Sequence, residues 1–164
     1  MKKILYILSI IFLLLTFLNI KENKTIKEDS IRFRIIANSN TIEDQNIKKL
    51  IKRELELNLF PLVANSTSPY QTKEIIYKNQ DVIKNILDKY NVEHTINYGT
   101  NFFPEKEYDN YIYEEGEYES LVIELGEAKG NNWWCVMYPP LCLVDSNKNE
   151  DIEYKLYIQE LFEK

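Results

Sequence analysis

The sequence predicts an α+β fold: an antiparallel sheet of about five strands with two helices packed on one face, preceded by an N-terminal hydrophobic signal or anchor helix. Three observations predict it. An unbroken apolar run fills residues 4–20 behind Lys2-Lys3. One period-2 stretch, Ile31 to Ala37, then precedes two stretches whose apolar residues recur at helical spacing. From Val92 onward the apolar period changes to two and stays there through several further stretches, as strands require.

The leader sets the compartment. From Ile4 to Ile20 the apolar run is relieved only by Ser9, Thr16 and Asn19. As a helix it would span about 26 Å, against a hydrocarbon core of about 30 Å. A short basic region before an apolar one is the pattern of an export signal. The exit, Thr16-Phe17-Leu18-Asn19-Ile20-Lys21, offers no small-x-small cleavage pair. Residues 1–20 therefore read as a signal peptide or an uncleaved signal anchor, the latter giving membrane contact through residues 4–20. Residues 21–30 are a polar linker, and 31–164 form a single α+β domain outside the cytoplasm.

Within that domain Ile31, Phe33 and Ile35 alternate with Arg32 and Arg34, the mark of a half-buried strand. Asn38-Ser39-Asn40-Thr41 is a helix start; Asn40 with Glu43, or Thr41 with Asp44, has capping-box spacing. Ile47, Leu50, Ile51 and Leu55 carry the helix to about Leu59, before Pro61. Ser68-Pro69-Tyr70-Gln71 opens a second helix, with Ser68 as cap and Pro69 at its first position. Its stripe runs through Ile75, Ile76, Val82, Ile83, Ile86, Leu87 and Tyr90. Val92 to Tyr98 is a strand ended by Gly99, and Asn101-Phe102-Phe103-Pro104 a turn or loop. Tyr108–Tyr113 is a weaker strand and Tyr118–Leu125 the strongest. Gly126–Asn132 reads as a hairpin loop to Trp133–Tyr138, and Leu141–Leu143 as a further strand beyond the Pro139-Pro140 corner. Tyr154, Leu156 and Ile158 alternate as a last strand, with a helix ending at Leu161-Phe162 as the competing reading.

Charge and composition exclude several functions. The net charge is -6, and because residues 1–20 hold two lysines and no acid, the rest is more acidic still. Such a body is a poor ligand for nucleic acid or anionic lipid. Cys135 and Cys142 are the only cysteines. Outside the cytoplasm they read first as a disulfide. If Met137–Pro140 is the turn, the two face each other about 4.5 Å apart at Cα, within bridging reach. Closing so short a loop would stabilise by about 2–3 kcal/mol. Two buried free thiols are the other reading. With one histidine the chain lacks the ligands of a metal site, and no motif calls for a cofactor. Gly126-Glu127-Ala128-Lys129-Gly130 lacks the Lys-Ser/Thr of a phosphate loop. Acidic residues such as Glu114, Glu115, Glu117 and Glu119 read as a solvated face.

One thiol-enzyme arrangement has the right residue types: Cys135 as nucleophile, His94 as base, and Asn131 or Asn132 as the orienting group. The aromatic residues support a different kind of site. Phe102, Phe103, Tyr108, Tyr111, Tyr113, Trp133 and Trp134 are more rings than a small sheet buries, and rings with polar handles favour protein interfaces. They form the candidate partner-binding patch, with Phe102-Phe103-Pro104 at its rim.

Taken together, Ile31-Arg32-Phe33-Arg34-Ile35-Ile36-Ala37-Asn38-Ser39, Asp44-Gln45, Tyr98-Gly99, Phe103-Pro104, Gly116-Glu117-Tyr118 and Gly126 through Cys142 resemble the stage II sporulation protein R family. Asn132-Trp133-Trp134-Cys135-Val136 followed by Pro139-Pro140-Leu141-Cys142 is the specific part. Met137-Tyr138 stand where Leu-Phe is more usual, and Asn40 replaces an acidic residue. The resemblance implies a signal rather than a catalyst. Such a protein is made in the forespore and exported to the space between the septal membranes. There it activates a membrane-embedded aspartic protease of the mother cell, which processes the sigma-E precursor. The resemblance carries over no catalytic residues. A secreted thiol hydrolase using Cys135 with His94 is the alternative expectation.

Overall fold

The computed structural model of the chain describes residues 24–25, 29–108 and 111–140. In chain order the elements are β1 (Lys24–Thr25), β2 (Ile31–Ile36), α1 (Ile42–Asn58), α2 (Phe60–Val63), α3 (Pro69–Lys78), α4 (Gln80–Asp88), β3 (His94–Phe103), β4 (Lys106–Tyr108), β5 (Tyr111–Tyr113), β6 (Gly116–Leu125) and β7 (Asn132–Tyr138). They divide into two compact units. In one, β1 pairs parallel with β5, and β4 pairs antiparallel with β5. The other holds the four helices and a four-stranded sheet in the order β3-β6-β2-β7.

Local chemistry starts each helix where the sequence places it. The Thr41 hydroxyl accepts from the Asp44 amide at 3.2 Å and caps α1. Ser68 does the same for α3 through the Gln71 amide, and Gln71 Oε1 accepts from the Thr67 amide at 2.8 Å. The Ser68 bond satisfies a first-turn amide that has no partner within the helix, and the Gln71 side chain ties down the residue before the cap. The expected second helix is two. Asn79 ends α3: its amide is shared between the Ile75 and Ile76 carbonyls, and its side chain bonds back to Ile75. Asparagine offers the backbone this local alternative, which is why it interrupts helices. Beyond Leu59, Pro61 sits in the first turn of the short α2.

All four helices pack on one face of the sheet. Ile31, Phe33 and Ile35 of β2, Leu121, Ile123 and Leu125 of β6, and Cys135 and Met137 of β7 meet Ile51, Leu55, Phe60, Val63, Ile76, Ile83, Ile86 and Leu87 there.

The sheet itself is mixed, not purely antiparallel. β2 runs parallel to β6 and antiparallel to β7, lying between them. Gly126–Asn132 is therefore no hairpin loop; it carries the chain over the end of β2. Its length permits this, since the two strands it joins are about 10 Å apart. β2 belongs in the middle because it is buried along nearly its whole length. β3 runs through Gly99 to Phe103, so Phe102 and Phe103 are strand residues rather than loop. Phe103 pairs with Gly116 and Tyr98 with Leu121, so β6 supplies a partner along the whole of β3. The expected weaker strand at Tyr108–Tyr113 is the two strands β4 and β5. The leader at residues 1–20, the strand at 141–143 and the last strand at 154–158 lie outside the described residues. Among the described residues no helix is long and apolar enough to cross a membrane.

Candidate functional site

The face of the sheet opposite the helices is built around two arginines. Arg32 and Arg34 alternate with the core residues of β2, an arrangement that would put them in water on a half-buried strand. Arg32 is instead fully buried and Arg34 partly so. The flanking strands supply the reason. Phe103 at the end of β3 and Tyr118 of β6 stack on Arg32, with guanidinium-to-ring distances of 4.4 and 4.8 Å. Arg34 lies 5.0 Å from Phe103 and 5.1 Å from Trp134 of β7. Phe103 meets Trp134 and Tyr118 edge-on, at 5.3 and 6.1 Å between centroids. A guanidinium is weakly hydrated and planar, so it tolerates such a stack; each desolvated cation–π pair is worth about 1–2 kcal/mol. Burial pulls the Arg34 pKa down, and Glu124 opposes the shift.

At one end of the sheet, two loops lock together. Gly126, with φ of 55°, is left-handed, and a Cβ there would fall 2.3 Å from Asn38 Oδ1. That same oxygen accepts from the Glu127 amide at 2.9 Å. The Lys129 and Gly130 amides donate to Asn38 O and Ala37 O at 3.0 and 2.8 Å. Asn40 Oδ1 accepts from the Asn131 amide at 2.7 Å. From α1, the buried Lys48 reaches the Asn131 carbonyl at 2.6 Å and Gln45 Oε1 at 2.7 Å. Burial lowers its pKa, with Lys49 adding to the effect. Asn38 Nδ2 and the Ser39 hydroxyl both donate to Asp44, and the Ser39 bond first of all holds that carboxyl below its usual range. The bonds that join Ala37, Asn38 and Asn40 to Glu127, Lys129, Gly130 and Asn131 tie the two loops together as a structural clamp.

Phe102, Phe103, Trp133 and Trp134, which lie in the helix-bearing unit, do not share one face of its sheet. Trp133 and Trp134 are adjacent on β7 and point to opposite faces. Trp133 packs on the helix side against Phe33 and Phe60, at 5.5 and 6.3 Å, with Lys52 Nζ 5.1 Å from its ring. Trp134 packs on the arginine side. Phe103 is buried in that side, whereas Phe102 is 58% exposed. In the other unit Tyr113 is buried, and Tyr108 of β4 pairs with Tyr111 of β5. Phe102, Phe103, Trp133 and Trp134 therefore belong to separate environments, because alternation along a strand sends neighbouring side chains to opposite faces.

Cys135 and His94 are not brought together. Cys135 is buried and disulfide-bonded; Cys142 lies outside the described residues. Phe33 pairs with both Cys135 and Leu121, and Leu121 with Tyr98. Cys135 and His94 are thus on opposite edges of the sheet, about 19 Å apart by strand geometry. The His94 ring instead has Val92 O at 3.1 Å from Nδ1 and Asp88 Oδ1 at 3.7 Å from Nε2.

Sequence reasoning missed a cluster where α3 meets β3. Lys73 pairs with Glu119 at 2.7 Å, and Tyr77 packs on Tyr98 at 5.2 Å. Burial, and then the nearby Glu119, push the Tyr98 hydroxyl pKa far up. Tyr77, beside the apolar stripe rather than on it, is the signal the sequence offers.

The family model for stage II sporulation protein R (spore_II_R) matches residues 27–148. Stage II sporulation protein R of Bacillus subtilis (strain 168) is 32% identical over 134 residues, covering 78% of this chain. The chain spans 60% of that relative's length. No solved structure matches. The stretch matched by the family model holds β2, all four helices, the Ala37–Asn40 and Gly126–Asn131 clamp, and the arginine–aromatic face. This chain belongs to the stage II sporulation protein R family, and its role lies in sporulation.

Proposed function

We propose that the chain is an exported signal of sporulation. Released from the forespore into the space between the septal membranes, it activates a membrane-embedded aspartic protease of the mother cell by surface contact. The activated protease processes the sigma-E precursor. The observation that carries this reading is the family match across residues 27–148. The two loops fit this reading, because their hydrogen bonds join Asn38 and Asn40 to Glu127 and Asn131 as a structural clamp beneath the contact surface would. The alternative, a thiol hydrolase using Cys135 and His94, has a buried disulfide sulfur and a distant histidine against it.

The test is co-production of the full chain with the mother-cell protease and the sigma-factor precursor in a non-sporulating host. Cleavage of the precursor that depends on this chain is the expected result. Equal precursor processing with and without the chain refutes the proposal. Replacing His94 by alanine separates the alternatives further, since a hydrolase loses activity and a signal retains it.

A further inference from the structure

β3 forms one edge of the four-stranded sheet, and among the described residues its one strand neighbour is β6. Its pairing runs without a bulge from His94↔Leu125 to Phe103↔Gly116. Natural sheets blunt exposed edges with charged side chains, proline, bulges or short strands. The β3 sequence HTINYGTNFF holds no Lys, Arg, Asp, Glu or Pro, and at 10 residues it is long for an edge.

The direction of its backbone groups follows from one hydrogen bond. The Gly126 amide donates to Glu93 O at 2.6 Å, so the position just before β3 forms a hydrogen-bonded pair with β6. Antiparallel ladders alternate. The polar groups of Thr95, Asn97, Gly99, Asn101 and Phe103 therefore face β6, and those of Ile96, Tyr98, Thr100 and Phe102 face outward. Phe102, 58% exposed, adds an apolar surface at one of these outward positions.

Gly99 points the same way. A Cβ built there meets one atom within 4 Å, Asn97 Oδ1 at 3.7 Å, an ordinary van der Waals distance. The chain's own packing does not require a glycine, and a glycine inside a strand weakens it. Beside an edge that has no second strand among the described residues, however, it leaves room for a large side chain of an added strand. Around the strand Asp88, Glu93 and Glu117 are exposed, and Glu119 and Glu124 follow on β6. Lys73 answers Glu119, and Arg34 interacts with Glu124, which leaves Asp88, Glu93 and Glu117. The remaining charge disfavours a second copy, which would bring acid to acid, and favours a basic strand.

We propose that β3 takes an extended, lysine- or arginine-bearing segment of a partner protein as an added strand, with a large side chain of that segment over Gly99. This rests on the reading that the chain acts by contact with another protein. Backbone pairing supplies the affinity in such docking, and side chains supply the specificity.

The test is amide hydrogen exchange on the full chain, with a synthetic peptide alternating valine and lysine around one tyrosine as the probe. Its valine–glutamate counterpart is the control. The basic peptide is expected to slow exchange about tenfold or more at Ile96, Tyr98, Thr100 and Phe102, leaving Thr95, Asn97 and Asn101 unchanged. Thr100→Pro removes one outward donor and keeps the inward ladder. Gly99→Val fills the space above the glycine. Both should abolish the protection and lower precursor cleavage in the co-production assay about tenfold, with circular dichroism unchanged. If Thr100→Pro does not fold, Gly99→Val decides. Several results overturn the proposal: no protection, equal protection by the acidic peptide, or wild-type cleavage by both folded variants. Concentration-dependent protection of the same amides without peptide does so too, by assigning the edge to a second copy. Absence of cleavage with wild type defeats the activating function instead, and the exchange experiment still decides the edge.

Discussion

Replacing glycine by alanine at two positions should move stability in opposite directions. At Gly130 the new Cβ would lie 2.3 Å from Ser39 O, 2.6 Å from Ser39 C and 2.8 Å from Ala37 Cβ. Two of these atoms are backbone, so no side-chain rotation relieves the clash; the loops must separate. Separation breaks the Gly130 to Ala37 and Lys129 to Asn38 hydrogen bonds, at 2.8 and 3.0 Å, and strains the Lys48 bond to Asn131. Neutral bonds of this kind are each worth about 0.5–1.5 kcal/mol, and one to a charged group about 1.5–3. Gly130→Ala should therefore cost about 2–4 kcal/mol. At Gly99 the same change makes one ordinary van der Waals contact, with Asn97 Oδ1 at 3.7 Å, and removing backbone entropy from the unfolded chain should stabilise by about 0.4–1 kcal/mol. Urea unfolding followed by tryptophan fluorescence reads both, because Trp133 and Trp134 of β7 report on the two faces of the sheet. A Gly130→Ala midpoint equal to wild type would show that the clamp does not hold the loops.

Other outcomes follow from the same geometry. Trp133→Ala and Trp134→Ala should both destabilise, by up to about 3–5 kcal/mol, since each packs against other rings of its own face. Phe102→Ala should stay within about 0.5 kcal/mol of wild type by the same unfolding assay, because its ring is exposed. Burial raises the Glu56 pKa, with Lys52 at 3.3 Å opposing it. The fold thus favours the protonated acid, and wild type loses this contribution as pH rises from the ordinary glutamate range through the folded value. Glu56→Gln should gain on wild type across that window in melting experiments. Asp44 has the opposite sign: held low by Ser39, it contributes stability above the ordinary aspartate range that is lost as pH falls through its folded value. Asp44→Asn should flatten that acid limb.

Features set by a few neighbouring residues were legible in the sequence. Thr41 and Ser68 cap the helices they precede, and Ile31–Ile35 and Tyr118–Leu125 are strands with the expected face inward. Strand adjacency was not legible. A short glycine-bounded connection between two strong strands reads as a hairpin on local grounds, and only the insertion of β2 makes it a crossover. That insertion depends on hydrogen bonds from Gly126–Asn131 to Ala37–Asn40, about ninety residues earlier. Gly99 misled for a related reason. Glycine lowers strand propensity, but a full-length partner in β6 carries the strand through it.

Four of the rings assigned to the candidate patch, Phe102, Phe103, Trp133 and Trp134, are divided between the two faces of the sheet, for a different physical reason. The sequence holds more rings than a small sheet buries, and Arg32 and Arg34 give no sign from spacing alone that they take rings as partners. The strand order puts Phe103, Tyr118 and Trp134 on those arginines, and Trp133 against Phe33 and Phe60. Their contacts lie within the domain, so changing them perturbs the fold before it perturbs recognition. Phe102 is different because strand alternation turns it away from the stack that holds Phe103. It shares β3 with the outward amides of Ile96, Tyr98 and Thr100, where pairing is open among the described residues. Recognition at that edge would use main-chain donors that no residue-type census reveals, with aromatic side chains contributing at its margin.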